Sequence, residues 1–211
     1  MSAPTTDDHV ASPARTRAPS GFLPEIQALR TVAVMLVVVY HLWPAYLPGG
    51  YIGVDVFFVI SGYLITAHIV REVVDKGSFT LRGFYVRRIR RLLPAALVVL
   101  AIVGLATFLW APMTLWNDTG KQIVASAFYV ENWALVANSV DYLGAAVDSS
   151  PVQHFWSLSV EEQFYLVWPI LIATAWLVLR RLRRGASRNR LGMILVAIGA
   201  ASLVFSIIAT Y

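Results

Sequence analysis

FYVRRIRRLLPAALVVLAIVGLATFLW, residues 84–110, decides the fold. Four arginines crowd into Arg87–Arg91, and the stretch from Leu92 to Trp110 carries no charge. A helix needs about 20 apolar residues to cross a hydrocarbon core of about 30 Å. Guanidinium groups are costly inside lipid, so the arginine cluster marks the end of the segment that stays on the cytoplasmic side.

The pattern repeats on both sides of this stretch. Further apolar runs lie at Leu29–Tyr46, Ile52–Val70, Ile123–Val140, Phe155–Leu179 and Leu191–Tyr211. The composition agrees. Of the 211 residues, 58% are apolar and 14% charged, against about 25% charged in a soluble domain. Mean hydropathy is +0.65. These values exclude a soluble enzyme, a disordered protein and a small secreted scaffold. The absence of cysteine excludes disulfides, zinc–thiolate sites, Fe–S clusters and thiol nucleophiles. A net charge of +5 does not indicate nucleic acid here, because the positive residues sit in short segments between apolar blocks.

Charge then sets the topology. Sixteen of the seventeen Lys and Arg residues fall in three segments: the tail through Arg30, residues 71–91 and residues 180–190. All three are expected in the cytoplasm. Residues 111–153 carry only Lys121 among four acids. An even number of crossings must therefore separate Trp110 from His154, so Ile123–Val140 cannot span alone. The expected fold is all-α: a multi-pass transmembrane bundle of about five spanning helices plus one outer-loop or re-entrant helix. Residues 1–21 have the composition of a disordered cytoplasmic tail, with none of the features of a signal peptide. The membrane domain is expected over 22–211. The last residues, Ile208–Tyr211, are still apolar, as in an N-terminal portion of a longer membrane protein.

Ionisable residues inside apolar text are functional candidates. Arg30 and His41 are eleven residues apart, close to three helical turns, so they share a face about 16 Å apart. Gly49–Asp55 turns the chain into the second helix. Asp55 is there placed either to orient His41 or to occupy the helix N-terminus. Arg88 and Arg91 project to one side of a turn, where guanidinium forks could take phosphate or simply mark topology. His154, Ser157 and Glu161 are spaced three and four apart and form one stripe, with Glu162 beside it. These carboxylates would enter the membrane from the outer side. Ser157 suits a bond back to its own helix better than nucleophilic attack, and His68 reads as interfacial.

Taken together, four motifs resemble acyltransferase family 3, the multi-pass bacterial membrane O-acyltransferases. They are the Arg30…His41 pair, GGYIGVDVFFVISGYLIT at 49–66, FYVRRIRRLLPA at 84–95 and HFWSLSVEEQFYLVWP at 154–169. The resemblance covers Phe22 to the end of the chain. Asn132-Trp133 and SVDYLGAA at 139–146 resemble the subgroup fused to an SGNH hydrolase-like domain, and the 211 residues are expected to be a partial form without that domain and the family's later helices. The resemblance implies transfer of an acyl group, often acetyl, from a cytoplasmic acyl-CoA to a hydroxyl on an extracytoplasmic glycan. It implies a bacterial cytoplasmic membrane location with the N-terminus inside. His41 would be the base, with Asp55 as its orienter and Glu161 assisting. Arg30, Arg88 and Arg91 would bind the donor, and His154, Ser157 and Glu162 would face the acceptor. Acyl-CoA is then a co-substrate, and no metal or bound cofactor is needed. The partners are the lipid bilayer, acyl-CoA and the glycan, with no nucleic acid. The competing classes are a transporter or flippase subunit for a lipid-linked glycan, and a non-catalytic membrane scaffold. Only the acyltransferase needs a CoA-phosphate site at the Arg-x-x-Arg motif.

The charge asymmetry yields a topology test. A reporter fused after Arg184 should read cytoplasmic, and one fused near Asp141 should read extracytoplasmic. Two reporters on the same side would overturn the parity argument.

Overall fold

A computed structural model describes residues 23–77, 79–140, 150–181 and 187–210. The tail 1–21, the Asp141–Ala146 part of the SVDYLGAA motif, and Arg183 and Arg184 lie outside the described residues. Seven helices occur among those described: α1 (Pro24–Leu42), α2 (Ile52–Lys76), α3 (Leu81–Trp110), α4 (Met113–Ala127), α5 (Glu131–Val140), α6 (Phe155–Arg181) and α7 (Arg188–Thr210). Five of them, α1, α2, α3, α6 and α7, are long and apolar enough to cross a membrane. The all-helical, five-span reading therefore holds.

The fourth apolar run departs from expectation. It forms parts of two short helices, α4 and α5, rather than one. The break is at Tyr129, whose φ of 55° is left-handed, an uncommon conformation for a residue other than glycine. No glycine or proline announces the turn. Ordinary signals serve elsewhere. Pro24 opens α1, where its missing N–H costs no helical bond, and Gly77, at φ +67°, follows the end of α2.

The chain divides into two compact units, with the division inside α2 after Val56. The first unit holds α1, the Trp43–Gly50 turn and the first turn of α2. Two glycines of this unit meet α1 backbone. A Cβ on Gly53 would overlap the carbonyl oxygen of Ala33, and one on Gly50 would lie 2.5 Å from that of Leu36. Ala33 is correspondingly buried.

In the second unit, the remainder of α2 runs parallel to α6. Ser61 meets Glu161, Thr66 meets Trp168 and Gly77 meets Arg180 in succession. Helix α3 runs antiparallel to α6, with Tyr85 on Leu166 and Arg88 on Glu162. Ile65, Ile69 and Val73 of α2 pack on Tyr165, Ile172, Trp176 and Leu179 of α6 and on Leu191 of α7. Both sets have the three- and four-residue spacing of a buried helical stripe. A second cluster joins Ala96 and Leu100 of α3 to Val152 and Phe155. Large apolar side chains elsewhere are exposed, among them Leu203, Val204, Phe205, Ile207 and Ile208 of α7. Water would not tolerate such a surface, whereas hydrocarbon does.

The close approach in the first unit can be tested. Gly53→Ala must push α1 away from α2, and overpacking of this kind costs about 1–3 kcal/mol. Thermal unfolding of the detergent-solubilised protein should show the loss. Gly199→Ala, where no atom lies within 4 Å of the added Cβ, should leave the midpoint nearly unchanged.

Candidate active site

Successive residues on a helix point about 100° apart, so a run of three polar residues fans out around α6. Residues Glu161, Glu162 and Gln163 accordingly reach three different elements. Glu161 Oε1 accepts from the Ser61 hydroxyl of α2 at 2.6 Å. Glu162 accepts from Arg88 of α3, at 3.0 and 2.9 Å from Nε and at 2.6 Å from Nη2. Gln163 turns to α5, donating to Asn132 Oδ1 and to the Tyr129 carbonyl, both at 2.8 Å, and accepting from Asn132 Nδ2 and Trp133 Nε1, both at 3.2 Å. All four hydrogen-bonding positions of that amide are filled.

Tyr165 lies one turn beyond both glutamates and connects them. Its hydroxyl donates to Glu161 Oε1 at 2.7 Å, and the guanidinium carbon of Arg88 lies 3.2 Å from its ring centroid. Ser61, Glu161, Tyr165, Arg88 and Glu162 thus form one polar chain across α2, α6 and α3. Ser61 is fifteen residues before Lys76, about 22 Å along α2, so the chain lies within the bundle and not at its end.

This joins residues that the sequence placed on opposite sides of the membrane. Arg88 was expected at the cytoplasmic end and Glu162 on the acceptor side. Helix α3 begins at Leu81, well before the apolar run at Leu92, which carries the arginines into the helix body. There Arg88 is only partly exposed, with 23% of its side chain accessible, and Glu162 with 16%. Arg91, one turn further on, is exposed and makes no ion pair among the described residues.

The first unit carries Arg30, His41 and Asp55. The Nδ1 of His41 lies 2.8 Å from the carbonyl oxygen of Val37, one turn back. A carbonyl can only accept, so Nδ1 carries the proton in the neutral ring and Nε2 keeps its lone pair. The orienting role expected of Asp55 therefore passes to the Val37 carbonyl. Asp55 is exposed in the first turn of α2 and makes no hydrogen bond to His41. Arg30 is partly exposed on α1, on the face that His41 shares by spacing.

His154 and Ser157 stand apart from the polar chain. His154 is exposed, its ring against that of Phe155. The Ser157 hydroxyl donates to the His154 carbonyl at 3.2 Å, the back-bond expected for it.

A residue that the sequence analysis did not single out is fully enclosed. Glu131, within the fourth apolar run, is 0% exposed. Its Oε2 lies 3.4 Å from the Ser126 hydroxyl, and its backbone N–H donates to Ser159 Oγ at 3.3 Å. Its Oε1 is buried with no partner. Burial pushes the Glu131 carboxyl up from its usual range, with the Ser126 hydrogen bond opposing. Tyr129 nearby is raised by burial, then by the charge of Glu162, with Arg88 acting against them. Among the described residues, no cluster of three or more His, Asp or Glu side chains could hold a metal ion.

Residues 23–211 match the family model described as an acyltransferase domain, that of acyltransferase family 3. The chain belongs to this family. It is 42% identical over 163 residues to the peptidoglycan O-acetyltransferase OatA of Listeria monocytogenes, covering 76% of this chain and 26% of that protein. It is 40% identical over 152 residues to the O-acetyltransferase OatA of Staphylococcus aureus strain NCTC 8325, covering 72% and 25%. A provisionally named O-acetyltransferase of Staphylococcus aureus strain COL is 38% identical over 191 residues, covering 88% and 30%. The chain thus spans less than a third of the length of these relatives. No solved structure matches it.

The burial of Glu131 gives a pH signature. Its folded-state pKa lies above the unfolded value, so between the two the folded state holds the proton more tightly. That preference for folding is fully present below the unfolded pKa and is lost as pH rises through the folded one. Stability should therefore fall as pH rises from about 4.5, and Glu131→Gln should flatten that slope. Unfolding midpoints across pH in detergent check it. A parallel slope in the variant would assign the effect elsewhere.

Proposed function

We propose that this protein transfers an acyl group, acetyl, from cytoplasmic acetyl-CoA to a hydroxyl of an extracytoplasmic glycan. The peptidoglycan named for the Listeria relative is the first acceptor to test. The protein would reside in the bacterial cytoplasmic membrane with its N-terminus inside, its partners being the bilayer, the donor and the glycan. One observation carries the reading. The family match runs from 23 to 211 and so includes every residue assigned a role here.

His41 is the proposed base. With Nδ1 engaged by Val37, Nε2 can take the proton of the acceptor hydroxyl. Arg88 and Arg91, with Arg30, belong to the donor side, where guanidinium groups suit phosphate and carbonyl oxygens. Glu161, held by Ser61 and Tyr165, anchors the polar chain from which Arg88 acts. Glu162 moves from the acceptor side to the donor side because it holds Arg88. His154, exposed just before α6, and Ser157, partly exposed in its first turn, remain the acceptor-side candidates.

The test is transfer of labelled acetyl groups in membranes carrying the protein with its complete reading frame, normalised to protein abundance. His41→Gln keeps a hydrogen-bonding side chain but cannot take the proton, and should lose at least about 100-fold, the scale of general-base catalysis. Asp55→Asn should stay within a few-fold of wild type, since the ring is oriented by backbone. Near wild-type turnover in His41→Gln would move the base elsewhere.

A further inference from the structure

Glu162 takes only part of what Arg88 offers. A guanidinium carries five N–H donors on three nitrogens. The carboxylate covers the Nε–Nη2 edge, and no acceptor among the described residues meets Nη1. One flat edge of the fork is therefore clamped and the adjoining edge left open. The ring of Tyr165 fixes the plane of the fork from one face. The ring is itself held by its hydroxyl bond to Glu161, which Ser61 also holds. Direction and tilt of Arg88 are both determined.

Charge indicates what the open edge serves. Arg88 together with Glu162 is electrically neutral, which suits a polyanion poorly. Arg87, Arg90 and Arg91 on the same helix are exposed and make no ion pair among the described residues, so they are better placed for phosphates. A neutral pair with aimed N–H donors suits a carbonyl oxygen that gains negative charge only in the transition state. We propose that Glu162 is a positioning residue that holds Arg88 with its open edge toward the thioester carbonyl oxygen, so that Arg88 stabilises the oxyanion of acyl transfer.

This rests on the acyltransferase reading above. In the step, the acceptor hydroxyl oxygen bonds to the carbonyl carbon and the carbonyl electron pair moves to its oxygen, which Arg88 receives. Collapse re-forms the carbonyl and breaks the carbon–sulfur bond. The hydroxyl proton passes to the base and from there to the departing thiolate. The acceptor becomes an ester and CoA leaves as the thiol.

Steady-state kinetics with labelled acetyl-CoA, in membranes carrying the complete protein, separate this role from a merely structural one. Arg88→Ala and Arg88→Lys should both lower kcat about 10²–10³-fold, the scale for loss of an oxyanion donor, because Lys lacks the planar fork. Glu162→Gln should lower kcat at least about tenfold while KM for acetyl-CoA stays within about twofold, and Glu162→Asp should recover part of kcat. Arg91→Ala should instead raise KM. If Glu162→Gln fails to accumulate, Glu162→Asp carries the test, with kcat lowered several-fold and KM kept. Wild-type kcat in the Glu162 variant assayed, or a loss confined to KM, would overturn the assignment while leaving the acyltransferase reading intact. A wild-type protein that transfers nothing from acetyl-CoA would overturn that reading and this inference with it.

Discussion

Arg88 and Glu162 meet through three hydrogen bonds between α3 and α6, and both side chains are mostly withdrawn from solvent. Removing either partner would strand a charge in an apolar bundle, at a cost of about 3–5 kcal/mol. The pair therefore fixes how far α3 slides along α6, and with it the position of every arginine in the motif. Apolar side chains alone would hold the helices together without fixing their register, because one leucine face slides past another with little change in contact.

The rest of α6 works in the same way. Consecutive polar residues point to different neighbours, so one short stretch of sequence holds α2, α3 and α5 at once. Glu161 reaches Ser61, Glu162 reaches Arg88, and Gln163 fills all four of its hydrogen-bonding positions on α5 and the Tyr129 turn. Such bonds between helices in lipid are individually modest, on the order of 1 kcal/mol. Their value here is directional. Glu131 shows the opposite case, a carboxyl enclosed at the α4–α5–α6 junction with one oxygen unpaired. Burial raises its pKa, which favours the protonated form that needs no counter-ion.

Family membership and geometry bear on different questions. The match over residues 23–211 places the chain among acyltransferases, and the relatives direct attention to acetyl transfer. The geometry distinguishes residues that the motifs treat alike. Arg88 and Arg91 read as equivalent members of an Arg-x-x-Arg pair, yet one is clasped inside the bundle and the other is exposed. Glu161 and Glu162 are neighbours in sequence, yet they serve different helices.

The sequence by itself determined the five spans, the all-helical class and the candidate residues. Those follow from one-dimensional quantities: runs of about 20 apolar residues, arginine clusters at their ends, and helical spacing within a segment. Even within one helix this reasoning reached single side chains, as the back-bond of Ser157 shows. Tertiary structure alone decided that Arg88 meets Glu162, that Tyr165 links the two glutamates, and that a backbone carbonyl orients His41 where Asp55 was expected. It also decided the left-handed turn at Tyr129, which no glycine announced. The physical reason is the same in each case. Charge and hydropathy act along the chain and are read locally, whereas a hydrogen bond between helices depends on register and rotation. Those are set only when all the neighbours pack together.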